Sequence, residues 1–323
     1  RYAGLSQPFE WSEKRAARQR VAQAGVTSAF AGLEEVRLNL VADVKVAFYE
    51  LLVALRDLDL ARQNQNIVEE VGRAVKTRVL SGEAPEFEAI KADVEVMKAN
   101  QVVTRAQNVV RIRRVTLDTL TANALGDNYA IRGGFRVYPR ELSLNALTAR
   151  ALDRHPTIRR LLSRVERTRH QIVFEQEARI PNVTVTGQYQ RDAGREAWVA
   201  ALSIPIPIWY QRQGEILAAM GLKRQEEAEL LRTRNDIARA VTQHFQEAQT
   251  ANQQITLFEK GLIALAEEAL RIAQFSFRQG AASLLEVLDA QRVFRDTQLN
   301  YAHARFDLSL ALVRLERTVG GEL

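Results

Sequence analysis

Two stripes of apolar side chains recur at alternating spacings of three and four, the seam of a left-handed coiled coil. The first is Val41, Val44, Phe48, Leu51, Leu55 and Leu58, and the second is Phe258, Leu262, Leu265, Ala269 and Ile272. The other faces carry Glu, Gln and Arg, as a solvated helix surface does. Taken alone, such stripes imply antiparallel helix packing and no chemistry. The seven prolines, at positions 8, 85, 139, 156, 181, 205 and 207, leave two long intervals with no helix breaker. Between Pro8 and Pro85, and from Pro207 onward, Ala, Leu, Glu, Gln, Arg and Val dominate, which predicts helix. A helix from Ser12 to Thr77 would be roughly 100 Å long, far beyond a globular-domain helix, and it needs a partner.

Elsewhere the period changes to two. Val183, Val185 and Tyr189 share one face, and Thr184, Thr186, Gln188 and Gln190 share the other. After a turn at Asp192, Ala193, Gly194 and Arg195, the apolar set Trp198, Ala200, Leu202, Ile204 and Ile206 alternates with Val199, Ala201, Ser203 and Pro205. The pattern predicts a β-hairpin over 182–206. A two-stranded hairpin is marginal in water, and each run approaches the roughly 9–11 residues of a tilted outer-membrane strand. In lipid every backbone group must be paired, so the hairpin fits only a closed barrel to which other chains contribute.

The chain also repeats itself. Leu5-Ser6-Gln7-Pro8-Phe9-Glu10-Trp11 matches Leu202-Ser203-Ile204-Pro205-Ile206-Pro207-Ile208, a shift of 197 residues. Ser81-Gly82-Glu83-Ala84-Pro85-Glu86-Phe87-Glu88 matches Gln279-Gly280-Ala281-Ala282-Ser283-Leu284-Leu285-Glu286, a shift of 198. Each copy reads as a proline-marked strand end, a long helix, a Gly turn and a returning helix. The first repeat covers 1–126. A linker at 127–141, containing Gly133 and Gly134, follows. The second repeat, 142–323, comprises a helix from Leu142 to Ala178, the hairpin, a long helix over 210–276, the turn, and a returning helix over 284–319. The first copy has no counterpart of the 142–178 helix, which suggests an N-terminally incomplete chain or an asymmetric repeat.

Composition narrows the function. With 46% hydrophobic and 26% charged residues among 323, the chain has ample material for a core. The net charge of +6 is spread along the chain, which argues against nucleic-acid binding. There is no cysteine, and His155, His170, His244 and His303 show no ligand spacing, so neither a metal nor another cofactor is expected. No nucleophile with a base, and no phosphate-binding loop, points to an enzyme. No apolar run reaches the roughly 18–20 residues of a membrane-spanning helix.

The segment Phe277-Arg278-Gln279-Gly280-Ala281-Ala282-Ser283-Leu284-Leu285-Glu286-Val287-Leu288-Asp289-Ala290-Gln291 is similar to the aromatic-x-x-Gly turn and acidic-x-x-acidic helix start of the TolC-like outer-membrane efflux factors. In the first copy Gly82 and Glu88 match, while Val79, Pro85 and Lys91 stand where the second copy has Phe277, Ser283 and Asp289. The Leu-Ser-Ile-Pro-Ile-Pro-Ile run at the hairpin end most resembles the heavy-metal efflux branch. The resemblance spans the chain and implies a mainly α fold. Long antiparallel coiled-coil helices would form a periplasmic α-barrel tunnel, and short β-hairpins would contribute to a trimeric outer-membrane β-barrel. It implies a homotrimer in the outer membrane of a Gram-negative bacterium, in contact with its lipid. The partners would be a periplasmic adaptor protein and an inner-membrane pump of the resistance-nodulation-division type.

Residues three apart share a helix face, so Glu286 and Asp289 can point together into a bore, and threefold symmetry would stack two rings of three carboxylates. Such rings attract cations, as charged rings do in channels. By the family match these two residues are the channel gate, and Glu88 makes aperture contacts. The turns at Gly82 and at Phe277, Arg278, Gln279 and Gly280 dock the adaptor. The implied function is a passive duct for heavy-metal cations such as zinc, cobalt, copper or silver, or alternatively for drugs and other small molecules. The competing reading is a soluble periplasmic coiled-coil scaffold or adaptor with no membrane barrel.

Overall fold

The structure, a computed structural model, describes residues 2–126, 129–139, 141–192 and 194–323. Its elements run β1 (Tyr2–Phe9), α1 (Ser12–Leu80), α2 (Glu86–Leu120), α3 (Leu144–Arg154), α4 (Pro156–Glu177), β2 (Val183–Asp192) and β3 (Arg195–Ser203). Then follow α5 (Gln213–Leu257), a π-helical segment (Phe258–Leu262), α6 (Ile263–Arg278) and α7 (Leu284–Val319). The uninterrupted helix formers after Pro8 thus build one helix of 69 residues. The chain divides into two compact units, Arg1–Arg37 with Ala149–Ala238, and Leu38–Thr148 with Arg239–Leu323. These units are not the two repeats, because each takes material from both.

In the first unit the strands form one antiparallel sheet in the order β1-β2-β3. The first-repeat strand pairs with the second-repeat hairpin, so the sheet has three strands among the described residues. Strand β3 stops at Ser203, short of the expected end at 206, since Pro205 and Pro207 cannot donate to a ladder. Ala193 of the expected hairpin turn lies outside the described residues; Gly194 has φ 82°. The helix expected over 142–178 is two, α3 and α4. Pro156 lacks an N–H and takes the first position of α4, and His155 Nδ1 accepts from the Thr157 N–H at 3.2 Å. Ile158, Leu161 and Ala151 are buried, and Arg160 Nε pairs with Glu35 at 2.6 Å.

In the second unit the first seam packs as expected along most of its length. Leu51 and Leu58 join Ala47, Ala54 and Ala61 of α1 against Val103, Val110 and Leu117 of α2, with Val44 and Leu55 alongside; Val41 stays exposed. The second seam does so only at Phe258, which packs against the cluster of Ala248, Ala251, Ile255 and Leu308. Beyond it Leu262, Leu265 and Ile272 are exposed, and Ala266 and Leu270 are buried instead, one position further on. The cause is the π-helical segment, where Gly261 has φ 140°. One extra residue in a turn rotates everything downstream by about 100°, so the face read at constant period becomes the outer one.

The expected linker at 127–141 lies partly outside the described residues, at Asp127, Asn128 and Arg140. Its described part is tied down: Tyr129 Oη donates to the Arg114 carbonyl at 2.8 Å, and the Arg136 N–H donates to Ser309 Oγ at 2.9 Å. Gly133, at φ 143°, runs so close to Phe48 that an added Cβ would sit 3.2 Å from its ring. Buried Glu316 collects Lys45 and Arg136, each at 2.7 Å.

Candidate functional site

Two regions bear on function, one in each unit, and the first is the sheet. In β1, Ala3, Leu5, Gln7 and Phe9 stand opposite Tyr189, Gly187, Val185 and Val183. Tyr189, Gly187 and Val185 in turn stand opposite Trp198, Ala200 and Leu202 of β3. Directly opposed residues share a face, so over 183–189 and 198–202 this face is apolar apart from Gln7, and it ends at the hairpin tip in the Arg191–Glu196 ion pair. The other face carries Gly4, Ser6, Gln188, Thr186, Thr184, Val199, Ala201 and Ser203. Ser6 Oγ and Thr186 Oγ1 lie 3.2 Å apart across it, while the Tyr189 and Trp198 rings are 5.0 Å apart on the apolar side. Leu5 is 79% exposed and Trp198 82%. An apolar sheet face this open, backed by hydroxyls and amides, has the construction of a barrel wall between lipid and water.

The second region is the pair of helix turns. Gly82 and Gly280 have φ 78° and 76°, a left-handed geometry that glycine adopts without strain. The Gly82 N–H donates to the Val79 carbonyl at 3.1 Å, and the Gly280 N–H to that of Phe277 at 3.0 Å. Glu83 donates to Arg78 at 2.8 Å, and Ala281 to Ser276 at 2.9 Å. Two backbone bonds at each turn therefore recur at the 198-residue offset of the sequence repeat. An alanine Cβ at Gly280 would meet nothing within 4 Å, so Gly280→Ala should cost only the left-handed strain, about 1–2 kcal/mol in thermal unfolding.

The turns differ after the glycine. Pro85 offers α2 no side-chain cap, whereas Ser283 caps α7 with a full capping box. Glu286 accepts from the Ser283 N–H at 2.6 Å and from its hydroxyl at 3.0 Å, and the Glu286 N–H donates to Ser283 Oγ at 3.3 Å. Those bonds, the backbone one foremost, hold the Glu286 carboxyl below its ordinary value. A depressed folded-state value means that the stabilisation is present above the ordinary Glu range and is lost as pH falls through the lowered value. Amide-exchange protection at the start of α7 should therefore fall in acid. Glu286→Gln should keep the bonds and remove that pH step, and an unchanged step would show that another group causes it.

Asp289, one turn on, pairs with Arg292 and is 56% exposed. Glu286 and Asp289 thus lie on one helix, as expected, but each has a local partner in the single chain. Glu88 is half-buried in the first turn of α2, its N–H bonded to the Pro85 carbonyl at 3.0 Å. Of the expected docking residues, Gly82, Arg278, Gln279 and Gly280 are exposed. Phe277 is not: it is 2% exposed and packs with Val71, Val75, Leu284 and Val287, under the Arg78 guanidinium 5.0 Å from its ring. It locks the two turns together and offers no docking surface. The capping box was visible as Ser-x-x-Glu at 283–286. The exposed tip residues Leu80, Phe87 and Leu285 carry no sequence signal that distinguishes them from core.

The outer membrane efflux protein family matches residues 2–123 and 147–321. The chain belongs to this family. The cobalt-zinc-cadmium resistance protein CzcC of Cupriavidus metallidurans is 25% identical over 98% of the chain and 76% of its own length. The outer membrane protein VceC of Vibrio cholerae superposes with a TM-score of 0.82 at 16% identity, over 99% of the chain and 79% of VceC. CusC, a transmembrane channel, superposes equally well, with a TM-score of 0.82 at 16% identity over 99% of the chain and 82% of its own. The protein described here is accordingly an outer membrane efflux protein of mainly α fold.

Proposed function

We propose that this efflux protein is the outer-membrane duct of a tripartite export system, assembled as a homotrimer, and that its cargo is divalent heavy-metal cations. The two-faced sheet carries the proposal. Its apolar face needs lipid, and its outer strands β1 and β3 each have a side with no partner strand among the described residues. Strands from two further copies would close those edges into a barrel with the Ser, Thr and Gln face inward. The exposed apolar stripes on α2 (Phe87, Ile90, Met97) and along the π-helical segment and α6 (Leu262, Leu265, Ile272) supply helical surface for the same assembly.

The acidic start of α7 is the cation-selective aperture in this reading. The Asp289–Arg292 pair is a surface ion pair, worth about 0–1 kcal/mol, so Asp289 can exchange partners when copies assemble. Glu286 is held by its cap, which leaves Asp289 as the stronger contributor. Glu88 contributes to aperture contacts, and the exposed turns at Gly82 and at Arg278, Gln279 and Gly280 receive a periplasmic adaptor linked to an inner-membrane pump. The metal cargo follows CzcC, whose name states cobalt-zinc-cadmium resistance. Expression with a cognate adaptor and pump in a metal-sensitive Gram-negative host should raise tolerance to zinc, cobalt or cadmium. Raised tolerance to drugs alone would replace the cargo and leave the duct.

A further inference from the structure

Within the second unit, the offset between the two repeats changes by one residue at the π-helical segment. Upstream of it the shift is 197: buried Leu51, Ala54 and Leu58 of α1 correspond to buried Ala248, Ala251 and Ile255 of α5. Downstream the shift is 198: Val68, Val75 and Val79 correspond to Ala266, Ala273 and Phe277 of α6, all buried or packed against the buried cluster. Between the two sets lie Phe258–Leu262 and Gly261 at φ 140°. The second repeat therefore carries one residue more than the first, and the π turn holds it. With that residue removed, the spacing from Ala248 through Phe258, Ile263 and Ala266 to Phe277 alternates three and four without a break, as it does along α1.

The upstream side of the π turn is pinned. Phe258 packs on the cluster of Ile255 and Leu308, its ring 5.8 Å from that of Tyr301, and Tyr301 Oη donates to Glu259 at 2.9 Å. The downstream side is not, because α6 carries two apolar seams one position apart. The seam now facing the core is Ala266, Leu270, Ala273 and Phe277. The one that a regular helix would turn inward is Leu265, Ala269, Ile272 and Ser276, of which Leu265 and Ile272 are now exposed. Leu265 and Ile272 would bury more apolar bulk than Ala266 and Ala273, whereas Phe277 buries more than Ser276, so the seams compete. Phe277, under the Arg78 guanidinium, is the latch on the present arrangement.

We propose that the π turn is a movable register: passing its extra residue down α6 to the turn at Gly280 rotates α6 by about 100° and exchanges one seam for the other. The helix leading to α7 then has two positions, where its first-repeat counterpart has one. The device rests on packing within one chain and on neither the cargo nor the aperture, so it stands or falls separately from the duct.

The chain has no cysteine, so single cysteines report exposure without background. The test is the reaction of Ala266→Cys with a water-soluble maleimide in the full chain in detergent, beside Val68→Cys, its counterpart in α1, and Glu267→Cys. Ala266 and Val68 are alike in burial, 6% and 5% exposed, and Glu267 is exposed. A minor register populated at about 0.1–10% makes Ala266→Cys react at that fraction of the Glu267→Cys rate, and faster than Val68→Cys. Phe277→Ala, which removes the latch, should raise the Ala266→Cys rate at least about tenfold. Deletion of Gly261 removes the extra residue and should return Ala266→Cys to the Val68→Cys rate, with or without Phe277→Ala. Ala266→Cys rates that never exceed those of Val68→Cys, even with Phe277→Ala, overturn the movable register. Fast labelling that survives the deletion also overturns it, and assigns the exposure to fraying of α6.

Discussion

Arginine in place of Leu5 should destabilise the membrane-inserted protein by about 2–4 kcal/mol, the cost of a cation on the lipid face near mid-bilayer. Leu5 lies at the middle of β1 and opposite Gly187 at the middle of β2, so depth does not soften the penalty. Thr186 is adjacent in β2 but on the other face, where Ser6 meets it. Thr186→Arg should cost far less, because a lumen-facing arginine keeps its water. Denaturant unfolding of both variants from lipid vesicles measures the difference. Equal costs would mean that the two faces meet the same solvent, and the barrel reading would fail.

Loss of cation selectivity should follow removal of the acidic start of α7, and unequally between its two carboxylates. Asp289→Ala removes a carboxylate paired with the exposed Arg292. Glu286→Ala removes one already committed to the Ser283 N–H and hydroxyl. The reversal potential in a salt gradient should therefore shift more for Asp289→Ala than for Glu286→Ala, and most for the double variant. Glu286→Ala should additionally loosen the start of α7, which Glu286→Gln should spare, since glutamine also completes a capping box. A double variant with the parent's selectivity would move the aperture elsewhere along the chain.

Much of this was legible because a few strong signals agreed. The absence of proline from 9 to 84 foretold a single helix, and the paired glycine turns foretold two hairpins with the same hydrogen bonds. The alternation at 183–190 foretold a two-faced strand, but only the register revealed that β1 joins the hairpin and continues both faces. Where the reading failed, one local event defeated an averaged pattern. Gly261 opens a π turn, and a period counted at constant spacing then selects the wrong face of α6. Pro156 lies inside the helix expected over 142–178, and its missing N–H sets the α3–α4 break. Phe277 was expected at the surface because it belongs to the turn motif, although its bulk is what holds the α1 and α6 ends together. The Ser-x-x-Glu spacing at 283–286 announces the partner of Glu286, whereas the Asp289–Arg292 pairing is set by rotamers.

The central claim is that this efflux protein forms an export channel in the outer membrane, and single-channel recording of the full-length protein in a planar lipid bilayer tests it most directly. The account predicts insertion with small, discrete, cation-selective conductance steps, from a preparation that is trimeric in detergent. A folded, full-length preparation that never inserts, or that remains monomeric and water-soluble without detergent, would contradict it and restore the reading as a periplasmic helical scaffold.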